Sequence, residues 1–240
     1  MRFISKAAIA SAVPLLAAAC SQASPTSPTS PTSPTSPTAT YKPPATTNPD
    51  AGLLTGTQLK ALLAPASWFP PGFAVDPAAS TETGDTYQEP SAAAGAPNCA
   101  NLSASAWVNL SGVGAVSWAQ NDYVDKVTSV QYDQEIDVYR GTSAQAVMAG
   151  LRKLATTCPN FQDSQTSSTV TVKLASGPAL GEDALTLTLD SPNWAGGTAL
   201  EAIRVGTAVV TVLYSATSGT GTTQATTLAT PITKNIKGNA

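Results

Sequence analysis

Histidine is absent from this chain of 240 residues, and charged side chains are scarce. Without an imidazole, Ser-His-Asp and Cys-His nucleophilic sites are excluded, and the commonest zinc ligand is missing. Charged residues make up 11% of the chain, the formal net charge is −3, and no basic block occurs. We therefore expect no nucleic acid partner. We expect Ser, Thr, Asn and Gln to solvate most of the surface, as is common in secreted proteins.

Long apolar runs are also lacking, apart from the stretch from Ala7 to Ala19 near the N-terminus. That stretch is about a dozen residues long, which suits the core of a signal peptide and is too short to span a bilayer. Arg2 and Lys6 precede it and supply the basic start of such a signal. The sequence therefore predicts a signal peptide over residues 1–19.

Cysteine occurs only three times, and the first, Cys20, closes the run Leu15-Leu16-Ala17-Ala18-Ala19-Cys20. This run is similar to a bacterial lipobox, whose cysteine is acylated and becomes the mature N-terminus. The leucine that a lipobox favours three residues before the cysteine is Ala17 here, and an ordinary secretory signal cut after Ala17-Ala18-Ala19 is the alternative. We predict a palmitate-bearing lipoprotein, because lipidation of Cys20 also removes the odd thiol of the chain.

The segment after the cysteine, residues 20–49, is rich in Ser, Pro and Thr, and residues 24–38 repeat Ser-Pro-Thr five times in phase. Proline at every third position prevents a helix. We predict an extended stalk that reaches about 90 Å at about 3.1 Å per residue. A bare tether is the simplest interpretation, although such a composition also resembles O-glycosylated stalks. Acyl chains on Cys20 would hold the protein at the cell membrane with its domain on the extracellular side.

Residues 50–240 are enough for one domain with a sizeable core. Thr55 and Gln58 stand at the spacing of a capping box, and Leu59 begins an apolar stripe, so a helix is predicted to start here. Trp68 lies in the Pro-rich turn that follows. Its ring is predicted either to close the core or to form the aromatic lip of a binding cleft.

The stretch over residues 127–140 alternates between apolar and acidic side chains. Tyr132 and Ile136 stand at even positions, and Glu135 and Asp137 stand at odd positions. Successive side chains of a strand point to opposite faces of the sheet. The alternation therefore predicts a half-buried antiparallel strand whose acidic face is exposed to solvent.

The strongest helical pattern covers residues 143–157 and ends at Cys158-Pro159. A final helix is predicted over residues 222–237, kinked or shortened by Pro231. Further strands are predicted over residues 115–124, 169–174, 184–189, 200–205 and 208–214, a short helix over residues 101–109, and a long loop over residues 76–98. Hairpin-linked strands with few crossover helices indicate an α+β fold, an antiparallel sheet with helices packed on one face.

These features resemble the extracellular sensor domain of PknH-like actinobacterial serine/threonine kinases and of the lipoproteins that share it. The resemblance covers residues 50–238 and rests on the Leu-rich first helix, on Cys99 in a loop before paired strands, and on the helix that closes on Ala155-Thr156-Thr157-Cys158. It implies an antiparallel sheet with helices beside a cleft for an unknown ligand. The kinases of that family carry two disulfides, whereas this chain has cysteines for one and contains no kinase domain.

The two remaining cysteines, Cys99 and Cys158, are predicted to form that disulfide. Export places them in an oxidising compartment, and they are the only thiols left once Cys20 is lipidated. The bond would pin the end of the helix at residues 143–157 to the loop that precedes the sheet. Two buried, unpaired thiols are the alternative.

Carboxylates are the only side chains that suggest catalysis. Glu135 and Asp137 share a strand face and could serve glycoside hydrolysis at a suitable separation, although a solvated acidic face is the simpler interpretation. Glu182 and Asp183 are more simply the turn before a strand. The sequence has neither a calcium-loop signature nor a Ser-x-x-Lys motif. We therefore predict a protein that is not an enzyme and that carries no cofactor and no metal.

Two functions of different classes remain. The first is a sensor module that binds a small molecule or an envelope component, and the second is a structural or interaction lipoprotein without a small-molecule ligand. A cleft lined by aromatic side chains favours the first, and a broad exposed apolar patch favours the second. We prefer the binding function, with Trp68, Trp118, Tyr132 and Trp194 as candidate ligand contacts.

Overall fold

The computed structural model describes residues 48–91, 95–194, 197–216 and 221–239. Its strands are β1 (Phe73–Val75), β2 (Thr81–Glu82), β3 (Ser117–Asp125), β4 (Gln131–Val138), β5 (Asn160–Asp163), β6 (Ser168–Ser176), β7 (Asp183–Asp190), β8 (Thr198–Val205) and β9 (Ala208–Ser215). Its α-helices are α1 (Gly56–Leu62), α2 (Ser143–Thr157) and α3 (Gly221–Lys237). The predicted signal peptide, Cys20 and the stalk up to residue 47 lie outside these ranges. No helix within them is long and apolar enough to cross a membrane.

The nine strands form one sheet in the order β1-β3-β4-β9-β8-β7-β6-β5, with β2 also paired to β3. All of the pairings are antiparallel. The hairpin predicted at Gly206-Thr207 joins β8 to β9, and Gly206 has a φ of 59°, a left-handed conformation that glycine adopts without strain. The predicted α+β class with an antiparallel sheet is confirmed.

Helices cover both faces of this sheet, which differs from the predicted placement on one face. On one face, α1 and α3 pack into a core that contains Ile136 and Val210. On the other face, α2 packs into a second core that contains Leu187 and Leu213. The reason lies in β8 and β9, which bury nearly every residue along their length, so both faces of the central sheet are apolar and need cover.

The three α-helices of the structure lie where helices were predicted around residues 55–63, 143–157 and 222–237. The N–H of Gln58 donates to Thr55 Oγ1 at 3.4 Å, and the N–H of Thr55 donates to Gln58 Oε1 at 2.8 Å, which completes the predicted capping box. The second helix covers the predicted residues. The last helix continues through Pro231 as far as Lys237.

The shortest elements were not predicted. β1, β2 and β5 contain only 3, 2 and 4 residues, too few for an alternating pattern to stand out in the sequence. They form because the edges of β3 and β6 offer unpaired backbone groups. The short helix predicted over residues 101–109 is two 3-10 helices, Cys99–Ser103 and Trp107–Ser111.

The predicted disulfide between Cys99 and Cys158 is confirmed. The two Cα atoms lie 5.5 Å apart, and the residues are 59 positions apart in the chain. Cys99 begins the first of the two 3-10 helices, and Cys158 follows the last residue of α2. The bond therefore fastens the chain that leads into β3 to the helix on the same face of the sheet.

Candidate functional site

The acidic face of β4 is buried, so the prediction that it is exposed is wrong. Asp133, Glu135 and Asp137 are 2%, 4% and 2% exposed. The opposite face of β4, with Tyr132 and Ile136, is buried as well. The apolar face is covered by α1 and α3, and the acidic face is covered by the segment that contains the two 3-10 helices. Alternation in the sequence therefore marks a change of chemistry between the two faces and not a change of exposure.

A fourth carboxyl group comes from β3. Asp122 pairs directly with Asp133, and Gln120 pairs with Glu135. On the other side of β4, Thr211 of β9 pairs with Glu135. Directly paired residues of neighbouring strands point to the same face of a sheet. Four buried carboxyl side chains therefore share one face, and we call them the carboxyl row: Asp122, Asp133, Glu135 and Asp137.

Hydroxyl and amide groups satisfy one end of the carboxyl row. Ser105, which lies between the two 3-10 helices, donates its hydroxyl to Asp122 Oδ2. Gln120 Nε2 donates to the two oxygens of Asp122 at 3.1 and 3.0 Å. Gln131 Nε2 donates to Asp133 Oδ1 at 2.7 Å. The first two carboxyl groups of the row thus have fixed orientations.

Deeper in the row, buried oxygens lack a hydrogen-bond partner among the residues that the structure describes. They are Asp133 Oδ2, Glu135 Oε2, Asp137 Oδ2 and Thr211 Oγ1. An ionised carboxylate without partners costs several kcal/mol to bury. A protonated carboxyl group has an O–H that can donate to a neighbouring oxygen. The surroundings therefore favour the protonated form of the carboxyl groups of Asp133, Glu135 and Asp137.

The pKa values follow from this burial. Burial raises the pKa of Asp133 to about 8, and the neighbouring charge of Asp122 adds to the shift. Burial also raises the pKa of Asp137 to about 8. The pKa of Glu135 lies well above its ordinary value because of burial and of the charge of Asp137. Burial raises the pKa of Asp122 only to about 6, because its carboxylate accepts hydrogen bonds. Asp122 is therefore the member of the row that loses its proton most readily.

A pocket of about 530 Å³ opens at the end of the sheet where the carboxyl row begins. Gln131 lies between Val124 on β3 and Ser215 on β9, and all three residues line the pocket. Residues i and i+2 of a strand share a face, so Asp133 is the next side chain inward from Gln131. The side chain of Gln131 lines the pocket and also holds Asp133, so it joins the pocket to the row.

Trp194 and Asp163 form another part of the pocket wall. Burial raises the pKa of Asp163, but hydrogen bonds from Thr166, Gln165 and Trp194 outweigh it and hold the pKa below its usual value. The N–H of Thr166 donates to Asp163 Oδ2 at 2.9 Å. Asp163 is therefore ionised at neutral pH, and its carboxylate orients the turn after β5.

The four aromatic residues predicted as ligand contacts do not share one cleft. Trp68 and Tyr132 pack edge to face, with ring centroids 5.8 Å apart, in the core beneath α1 and α3. Trp194 lines the pocket on the opposite face of the sheet. Trp118 pairs with Asp137 at the far end of the row, about 20 Å along β3 from Val124. Contact between these residues and a ligand stays a prediction, and the structure places only Trp194 in this pocket.

A second groove, of about 570 Å³, runs between α2 and the chain that precedes β3. Small residues form most of its walls, and α2 approaches closely at Gly150, where a Cβ atom would stand 2.6 Å from the carbonyl oxygen of Ser111. Within the described ranges, no group of three or more potential metal-ligating side chains could hold a metal ion. The pocket beside Trp194 has an aromatic side chain in its wall and is joined to the carboxyl row through Gln131, and the described wall of the α2 groove has no aromatic residue.

Sequence reasoning did not find most of this pocket. Its polar residues come from separate segments, such as Ser103, Asp163 and Asn193, and each of these looks like an ordinary loop residue. The one feature of the sequence that could have pointed to this site is the clustering of acidic residues on β4. A chain with only 11% charged residues places three of its acids at alternate positions of one strand.

A known extracellular domain shares this fold. The crystal structure of the extracellular domain of PknH from Mycobacterium tuberculosis has a TM-score of 0.54 with this chain at 12% sequence identity, over 77% of this chain and 97% of that one. At this identity the similarity shows the fold alone, and it supports the PknH-like sensor fold that the sequence resembles. No family profile and no curated protein match the sequence.

Proposed function

We propose that this protein is a ligand-binding or sensor module, without enzymatic activity, that a lipid anchor at Cys20 holds on the extracellular side of the cell membrane. The observation that carries the proposal is the pocket of about 530 Å³ at the end of the carboxyl row. Its volume lies within the range of small-molecule sites, about 300–1,000 Å³. The similarity of the fold to an extracellular domain supports a position outside the cell.

The connection between the pocket and the carboxyl row supports a sensing role. The amide of Gln131 has a second N–H and a carbonyl oxygen, so a ligand can bind it while the 2.7 Å bond to Asp133 persists. A ligand that shifts this amide changes the hydrogen bonding of a buried carboxyl group, and the neighbours Asp122 and Glu135 respond through their charges. Ligand binding at the surface is in this way coupled to the protonation of buried groups.

The state of the carboxyl row also argues against catalysis. Hydrolysis of a glycoside by two carboxyl groups needs one ionised group and access to the sugar. Glu135 and Asp137 are almost fully buried, and burial raises the pKa of both side chains. The pair thus lacks the accessible base that the reaction needs.

The exposed surface favours ligand binding over a purely structural role. The large apolar side chains that are exposed in the described ranges are Val75, Val127 and Leu174. Val75 belongs to β1 and Leu174 to β6, which lie towards opposite edges of the sheet. These side chains do not make a broad apolar patch of the kind that marks a large protein interface.

Native mass spectrometry of the full-length protein, extracted from membranes in detergent, tests the proposal. Gln165 is exposed and lines the pocket, so Gln165→Trp fills the pocket from its rim without disturbing the core. Gln88→Trp is the matched control, because Gln88 is exposed and does not line the pocket. We expect a bound small molecule on the wild-type protein and on Gln88→Trp, and none on Gln165→Trp.

Two results would contradict the proposal. One is an added mass that stays on Gln165→Trp, because the ligand would then lie elsewhere. The other is a wild-type protein that carries no ligand and shows no shift in melting temperature with an extract of envelope small molecules.

A further inference from the structure

We infer that the pocket beside Trp194 binds a neutral polyhydroxylated ligand, a carbohydrate. This inference rests on the proposed function and names the ligand class of the same site. Four features of the described wall carry it: its charge, its hydrogen-bonding groups, the orientation of those groups and the single large aromatic ring.

The charge of the wall excludes most ionic ligands. Among the thirteen described residues that line the pocket, Asp163 is the only one with a charged side chain. A phosphate or carboxylate ligand would therefore find no Lys or Arg in the wall to replace its lost hydration. Thr166 donates two hydrogen bonds to Asp163 Oδ2, so an ammonium ligand would have a single carboxylate oxygen, Oδ1, as its charged partner in the described wall.

The hydrogen-bonding groups of the wall fit hydroxyl groups. Nine of the thirteen lining residues carry a hydroxyl, amide or carboxylate group, and only Val124, Leu213 and Ala216 are aliphatic. Side-chain amides such as those of Gln131 and Asn193 both donate and accept, as each hydroxyl of a sugar does. Three small aliphatic contacts are too few to bury a lipid chain in a pocket of this volume.

Several of these groups are held in place by other protein groups before any ligand arrives. Gln131 is fixed by Asp133, and the hydroxyls of Thr198 and Ser215 lie 3.3 Å apart across the pocket wall. Fixed donors and acceptors lose little side-chain entropy when a ligand binds. The site therefore favours a rigid ring with several hydroxyl groups over a flexible chain.

Trp194 supplies the apolar part of the contact. Trp194 is half-buried at the wall, among the residues that supply the hydrogen-bonding groups. An indole is a large, flat apolar surface with one polar edge. A sugar ring presents apolar C–H groups on its face and hydroxyls around its rim, so it can stack on the indole while the amides bind the rim.

The test is direct titration of the full-length protein, in detergent, with probes that differ in charge. Maltose, cellobiose and lactose are the neutral probes, glucose 6-phosphate and glucosamine carry charges, and octanoate is the apolar probe. Intrinsic tryptophan fluorescence and calorimetry report binding. We expect a neutral sugar to bind, and the charged probes to bind at least about tenfold more weakly.

Two variants, each with a matched control, assign the binding to this pocket. Trp194→Ala removes the stacking surface and should weaken binding of the neutral sugar by about tenfold. Trp118→Ala is matched in residue type on the same face of the sheet and should leave affinity unchanged. Gln165→Trp should abolish binding, and Gln88→Trp should not affect it.

The outcomes separate the ligand class from the proposed function. Saturable binding of a charged or apolar probe that Gln165→Trp abolishes, without binding of any neutral sugar, overturns the carbohydrate inference and leaves the binding module intact. Sugar binding that survives both Trp194→Ala and Gln165→Trp overturns the assignment to this pocket. Failure of every neutral sugar to bind also overturns the inference, and the co-purified mass then decides the proposed function separately.

Discussion

The two faces of β4 are equally buried and chemically opposite. One face carries Tyr132 and Ile136 into an apolar core beneath α1 and α3, and the other carries the acids of the carboxyl row. The apolar face stabilises the fold by removing hydrocarbon from water. On the acidic face, burial raises the pKa of the carboxyl groups and so favours their protonated form. The two faces of this strand thus contribute differently to the stability of the fold. The contribution of the apolar face is nearly independent of pH, and the contribution of the acidic face changes as its carboxyl groups titrate.

Removal of the disulfide should lower the stability of the domain more than any other change, because the bond fastens the chain that covers the acidic face to α2. In the loop-entropy description, a ring of this length contributes about 4 kcal/mol to the free energy of unfolding. We expect Cys99→Ala and Cys158→Ala each to lower stability by about that amount, and the double variant to cost no more than either one. Denaturant unfolding with and without reductant measures this. Equal stability of the oxidised and reduced wild-type protein would contradict it.

A cavity in the apolar face should cause the next largest loss of stability. Ile136 is completely buried, and Ile136→Ala should lower the free energy of unfolding by about 3 kcal/mol through lost burial and the cavity left behind. The loss should be similar at pH 5 and pH 8, because hydrocarbon does not titrate. The neighbouring variant Glu135→Gln, on the opposite face, is the control and should not destabilise the domain at pH 8. Chemical denaturation at both pH values separates the two faces.

Per pH unit, titration of a single carboxyl group of the row should have a smaller effect on stability than either of these variants. Burial raises the pKa of Asp137 from 3.8 to about 8. The folded state therefore keeps a proton that the unfolded chain loses above pH 4, and stability declines as pH rises towards 8. The slope for one group approaches about 1.4 kcal/mol per pH unit.

Asp137→Asn tests this slope, because an amide is neutral at every pH in the window. We expect the variant to match the wild-type protein near pH 4 and to be the more stable of the two near pH 8. Asp190→Asn, at an exposed position of β7, is the control and should leave the slope unchanged. A wild-type domain whose stability rises steadily between pH 5 and pH 8 would show that the row is ionised.

Removal of the proposed anchor should have the smallest effect on the stability of the domain. Cys20 precedes the whole of the predicted stalk, so Cys20→Ala should leave the free energy of unfolding unchanged within about 0.5 kcal/mol. It should nevertheless move the protein from the membrane fraction to the medium. Labelling with an alkyne fatty acid checks the cause, and a wild-type protein that takes up no label contradicts the lipoprotein proposal.

The sequence predicted the elements whose signal is local. The capping box at Thr55, the apolar stripe of α2 and the Gly206 hairpin each depend on residues within a few positions of one another. The exposure of the Glu135 face depends instead on the chain between residues 99 and 111, which no local pattern links to β4. The pocket around Trp194 is unpredictable for the same reason, since its wall joins residues from distant segments.

The position of β9 has a consequence for how the chain reaches its folded state. β9 is the last strand in the sequence, but it lies in the middle of the sheet, where Gln131 of β4 pairs with Ser215. Until that strand is available, β4 and β8 have unpaired edges and neither core can close. Pairing between such distant segments is slow, because a long loop must close before any contact repays its entropy. If the protein is exported as we propose, the sheet cannot close on the outer side of the membrane before β9 has crossed. The chain therefore remains unfolded enough to pass through the translocation channel until its last strand has been exported.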